Sequence, residues 1–214
     1  MAKHSRAASH ARRAIAAKAA RLMAEDGLTD FGTAKRKAAR HLGFGESDDL
    51  PDNAEIEEAL RTYQALYQND EQRARLGDLR QIALSLMESL APYRPALSGA
   101  VWHGTATRGA GIDIDLFTDD AKALEMSLLN RGIVYSVSRR PHFAKSLRVH
   151  IQVLRFDADD VAIALSVYSL ADERDAFKRD ALGQAARGAI REVAALIAAA
   201  DNAGTVERFL AAIR

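Results

Sequence analysis

Asp113 and Asp115 stand one residue apart in the run Ile112-Asp113-Ile114-Asp115-Leu116. A strand alternates its side chains, so both carboxylates project from one face while the apolar residues anchor the other. Two carboxylates held side by side repel, and a divalent cation relieves that repulsion most simply. Oxygen ligands on a rigid strand suit Mg²⁺ or Mn²⁺, with phosphate oxygens and water completing the shell. Just upstream lies His103-Gly104-Thr105-Ala106-Thr107-Arg108-Gly109-Ala110-Gly111. Its glycines, Gly104 and Gly109 among them, let backbone N–H groups approach a phosphate; Thr105 offers a hydroxyl and Arg108 a cation. These parts together describe a site for a metal-bound nucleoside triphosphate, with ATP the expected nucleotide.

The elements that must position these residues change character along the chain. The first half reads as helices: residues 5–26 up to Gly27, a second capped by Thr29 and Asp30 and ending near Gly43, a third introduced by Pro51-Asp52-Asn53, and a fourth from Asp70 to Leu90 before Pro92. Ile56, Leu60, Tyr63 and Tyr67 recur at helical spacing in the third, and Leu76, Leu79, Ile82, Leu86 and Leu90 in the fourth. From Ser98 onward short β segments dominate: GAVWH before the loop, GIDIDLF after it, then GIVYSVS, LRVHIQVLRF and DVAIALSVY, with AKALEMSLLN as a crossover helix. Residues 172–200 and 205–213 read as helix again. The expected class is α+β: a helical region over 1–96, a small mixed-sheet core over 97–170, and C-terminal helices over 171–214 packed on that core.

Gly104-Thr105, the spacer with Gly109, and Asp113-Ile114-Asp115-Leu116 together resemble the DNA polymerase beta-like nucleotidyltransferase superfamily. Its motif pairs a glycine and a hydroxyl with a later Asp-hydrophobic-Asp strand, here with threonine for serine and a shorter spacer than is usual in the small members. The resemblance covers roughly residues 98–170. It implies transfer of a nucleoside monophosphate from a nucleoside triphosphate to a hydroxyl or amine acceptor that the sequence does not name. Asp113 and Asp115 would hold the metals, and Gly104 and Thr105 would cradle the phosphates. The family usually supplies a third carboxylate from a later strand; here the strand LRVHIQVLRF presents His150 at the expected position. A neutral imidazole there would ligate Mn²⁺ better than Mg²⁺, or serve as a general base. The alternative is a regulatory or antitoxin-like member that binds nucleotide without transferring it.

Other residues carry weaker signals. Arg139, Arg140, Lys145 and Arg148 surround a basic segment between strands, suited either to an anionic group or to solvent. His103 and Trp102 read as capping and core residues. Asp157, Asp159 and Asp160 lack the glycine and glutamate of an EF-hand and read as turn residues. P-loop, zincin and α/β-hydrolase motifs are missing from the sequence.

Composition restricts the reading further. The chain has 214 residues, 48% of them hydrophobic, and no cysteine, which excludes disulfides and thiolate chemistry. No apolar run approaches the roughly 20 residues that span a bilayer, so the expectation is a cytoplasmic protein without a membrane partner. Net charge is +1, yet residues 1–40 hold ten basic side chains against three acidic ones. That local excess suits either a nucleic-acid partner or two solvated helix faces.

Overall fold

The computed structural model describes residues 2–28, 30–44, 50–67, 70–107, 109–143, 149–158, 160–178 and 185–200. The protein is α+β, with a helical N-terminal part followed by a six-stranded mixed sheet. Its residues group into two compact units: residues 1–74 with Gly104–Ala110, and residues 75–103 with 111–214. The division falls within one helix, the fourth.

In the first unit, helices α1 (Ala2–Asp26), α2 (Phe31–His41) and α3 (Asn53–Tyr67) pack through Ile15, Ala19, Ala20, Met23, Ala34, Ala38, Ala39, Ile56 and Leu60. Alanines dominate the α1–α2 contact, so the residues that give helix propensity also form the core. Capping sets the helix starts. Asp30 accepts a hydrogen bond from Thr33 N at 2.7 Å. Asp52 and Glu55 form a reciprocal box, each carboxylate accepting from the other residue's backbone N–H at 2.8 Å. Ion pairs use part of the basic excess inside the unit: Arg12 binds Glu55, Lys37 binds Asp26, and Arg21 binds Glu25. Lys35 donates to the Pro51 carbonyl.

The second unit holds most of α4 (Asp70–Ser89) and the strands β1 (Ala96–Ser98), β2 (Ile112–Phe117), β3 (Ser136–Pro141), β4 (His150–Ala158), β5 (Val161–Tyr168) and β6 (Arg187–Ala189). It also contains the short helices α5 (Gly99–His103), α6 (Ala121–Asn130) and α7 (Glu173–Ala176), and helix α8 over 190–200. The sheet order is β3-β4-β5-β2-β1-β6, with β2 and β5 parallel and every other pair antiparallel. The parallel pair is close: a Cβ on Gly111 would lie 2.5 Å from the Ala162 carbonyl oxygen.

Register divides the sheet into two faces. Ile112, Ile114 and Leu116 share one with Ile163, Leu165 and Leu154, all nearly inaccessible. This is the side of α6, whose Glu125 accepts a hydrogen bond from Gln152 at 2.7 Å. The opposite face carries Ser98, Asp113, Asp115, Ser166, Tyr168, Arg140 and Arg187.

Several expected elements move. GAVWH is helix α5, and the strand precedes it as Ala96–Ser98. Arg80 of α4 donates to the Val101 carbonyl at 3.2 Å, fixing the turn that the β propensity of valine and tryptophan obscured. Strand β3 starts four residues later than the segment from Gly132 suggests. The stretch 172–200 is broken: α7 is only four residues long, and β6 pairs with β1 before α8 begins. The expected helix at 205–213 lies outside the described residues.

Candidate functional site

Asp115 is fully buried, and its charge is met by two arginines from opposite ends of the sheet. Arg140, on β3, donates from Nη2 to Asp115 Oδ1 at 2.8 Å and to the Tyr168 hydroxyl at the same distance. Arg187, on β6, donates from Nε to Asp115 Oδ2 and from Nη1 to the Ala176 carbonyl at 3.3 Å. Each carboxylate oxygen is thereby engaged by a single charge-assisted hydrogen bond from a different guanidinium. Arg187 is also stacked on Phe143, with its guanidinium carbon 4.3 Å from the ring centroid.

Asp113 is different. It shares the face of Asp115 but is only partly buried, and among the described residues its carboxylate accepts no hydrogen bond. Burial pushes its carboxyl above the ordinary range; Arg140 pulls it back, Asp115 raises it further, and Arg155 opposes. Gly99, at φ +66, closes on this carboxylate: a Cβ there would sit 2.8 Å from Asp113 Oδ2. The backbone angle favours glycine at that position, and a larger residue would also have to push the Asp113 carboxylate aside. Burial and the nearby Asp115 charge also raise the Tyr168 phenol, against Arg140 and Arg187. The Arg140 guanidinium is raised as well, since Asp115, Tyr168 and Asp113 outweigh the burial that would lower it.

These residues line a pocket of about 370 Å³ bounded by Ser98, Gly99, Asp113, Arg140, Phe143, Tyr168 and Arg187, with Pro141 and Ala186 at its rim. Below it, His142 places Nε2 3.1 Å from Asp172 Oδ2 and stacks on Phe143 with centroids 4.7 Å apart.

The structure brings only some of the predicted residues together. Asp113 and Asp115 project from one face, as alternation requires. His150 does not face them. The neighbour of β2 is β5, with β4 one strand further out, and Gln152, two residues along from His150, pairs with Val167 beside Leu116. His150 therefore belongs to the isoleucine face, across the sheet from the carboxylates. The positions adjacent to Asp113 and Asp115 on β5 are Ala164 and Ser166.

The predicted phosphate loop groups with the first unit. Thr105 is 2% exposed there, and Gln64 Nε2 donates to the Thr105 and Ala106 carbonyls at 3.3 and 3.4 Å. Gly104 has φ +76, Gly109 approaches the Gly27 carbonyl, and Arg108 lies outside the described residues. Of the basic segment, Arg140 is in the pocket and Arg139 is exposed, while Lys145 and Arg148 are outside the described residues. Asp160 takes a positive φ in the β4–β5 turn, consistent with a turn role.

Sequence reasoning missed Gly99, Phe143, Tyr168 and Arg187. Gly99 stands in a segment that reads as a strand, so its positive φ beside Asp113 left no local signal. Arg187 gave none, lying in a stretch that reads as helix.

A resident metal pair fits this arrangement poorly. Asp115 has both oxygens committed to arginines, and among the described residues no three His, Cys, Asp or Glu side chains gather into a ligand set. Fold and site define an α+β protein with an arginine-bound carboxylate in a pocket on the polar face of its sheet. No protein-family model matches the chain, and no curated protein matches it.

Proposed function

We propose that this protein binds a nucleotide on the polar face of its sheet, as a member of the nucleotidyltransferase superfamily that recognises the ligand without transferring it. The observation that supports this reading is the double engagement of Asp115. A carboxylate held by two guanidinium groups is compensated already, and a divalent ion would have to displace both. Arginines from β3 and β6 then supply the positive charge that metals supply in phosphoryl-transfer sites.

Metal-dependent transfer from a triphosphate such as ATP is the second reading, and Asp113 favours it. Its carboxylate lines the pocket with no donor among the described residues, so a cation carrying triphosphate oxygens could complete it. Incubating the protein with each labelled nucleoside triphosphate in Mg²⁺ or Mn²⁺ and measuring pyrophosphate separates the two. Binding without pyrophosphate release is the expected result. Metal-dependent release that Asp113→Asn abolishes would overturn the binding-only reading.

A nucleic-acid partner for the basic helices of the first unit gains no support from the ion pairs there, which offset several of those charges internally.

A further inference from the structure

We infer that the pocket selects a nucleoside monophosphate and binds its phosphate directly through Arg140 and Arg187, with no divalent metal. This rests on the nucleotide-binding reading above and specifies the ligand class.

Three observations carry it. First, the arginines are positioned but not saturated. Among the described residues, Arg140 bonds only through Nη2, leaving Nε and Nη1, and Arg187 bonds through Nε and Nη1, leaving Nη2. A terminal phosphate presents three oxygens, and N–H groups from two guanidiniums can meet them without an intervening ion. Asp115 acts here as a positioning residue: its two oxygens fix the arginines in orientation and save the ligand the entropy of ordering them.

Second, charge balance disfavours a longer phosphate chain. Arg140 and Arg187, with Arg155 on the same face, stand against Asp113 and Asp115, so the cluster carries only a small positive excess. Such a cluster supplies directed N–H donors but cannot offset the several negative charges of a triphosphate unless a cation accompanies it. A single phosphate imposes the least repulsion. Asp113, which accepts nothing in the pocket, is matched by a donor on the same ligand, a ribose hydroxyl or a base amino group.

Third, size and lining agree. A pocket of about 370 Å³ lies at the small end of the roughly 300–1,000 Å³ range of ligand sites. Phe143, 38% exposed, bounds the pocket with its ring packed against Arg187, His142 and Tyr168, so its free edge gives a base an apolar contact rather than a stacking face.

The test is calorimetric titration of the full-length protein with the four nucleoside 5′-monophosphates and the four triphosphates, each in EDTA and in Mg²⁺. At least one monophosphate should bind in EDTA, with unchanged affinity in Mg²⁺, and more tightly than its triphosphate in either condition. Arg140→Gln should weaken that binding by about tenfold to a hundredfold, and Arg140→Lys should restore only part of it, because lysine keeps the charge and loses the fork. Thermal melts confirm that both variants fold. If either does not, broadening of the ³¹P signal of the monophosphate by wild-type protein in EDTA decides directly. A triphosphate that binds only with Mg²⁺, and more tightly than any monophosphate, would overturn this inference and leave the nucleotide reading standing. Failure of all eight nucleotides in both conditions would overturn both.

Discussion

Arg187 of β6 reaches past β1 to the buried carboxylate of Asp115 on β2, and with Arg140 it gives that acid two counter-charges. Asp115 is thus a structural group as much as a site residue. Replacing it with Asn leaves two guanidiniums facing each other, one of them only 10% exposed. Breaking a buried pair in this way costs about 3–5 kcal/mol, with Arg140 contributing the smaller part because it is more exposed. Urea denaturation should show that loss, and Asp115→Asn/Arg187→Met should recover some of it. An Asn variant as stable as the wild type would show that the ion pairs do not form in solution.

Asp113 should behave in the opposite way. Its carboxyl is raised, chiefly by burial, so the folded state holds its proton more firmly than the unfolded chain does. The favourable contribution of that proton is complete below the ordinary carboxylate value and is lost as pH rises through the raised one. Asp113→Asn, which has no charge to desolvate, should match or exceed the wild type in melting temperature at pH 7. The gap should close on acidification toward the unfolded-state value. A variant less stable than the wild type at pH 7 would mean that an unseen partner compensates the carboxylate.

The single tryptophan reports on β6. Trp102 Nε1 donates to the Ala185 carbonyl at 2.7 Å, and a Cβ on Gly188 would fall 2.1 Å from the Trp102 ring. Gly188→Ala should therefore displace the indole or the strand, red-shift the fluorescence, and cost about 1–3 kcal/mol as an overpacked position. Unchanged emission and stability would remove β6 from the sheet.

His150→Ala should leave nucleotide affinity and its pH profile unchanged, since that residue shares the face of Leu116 and not that of Asp115. A tenfold loss of affinity by calorimetry would contradict the register.

The contrast between Asp115 and His150 shows what the sequence could convey. Two aspartates on one face follow from alternation within a single strand, a local property. Which strand lies beside them is not local, and exchanging β4 for β5 as the neighbour turned a facing histidine into one on the opposite surface. The first four helices were legible because apolar and alanine periodicity is local, and because Asp30 and Asp52 cap by short-range bonds. Strand β6 was not. Arg187-Gly188-Ala189 has no β-branched residue, and its conformation comes from pairing with Ala96–Ser98 some ninety residues away. The arginines followed the same pattern: Arg140 was visible only as part of a basic segment, and the role of Arg187 depends on a partner 72 residues earlier.

That separation in sequence has a consequence for how the chain acquires its structure. The β4–β5 hairpin closes over a short turn and needs nothing distant, whereas β1, though paired with β2, has its other edge open until β6 arrives. At about 5–20 residues per second, translation leaves Asp115 several seconds ahead of Arg187. During that interval the acid has one counter-charge in place of two, which makes its burial less favourable. Arrival of β6 supplies the second counter-charge and the acceptor for the indole together, so the pocket takes its form only once this strand has paired with β1.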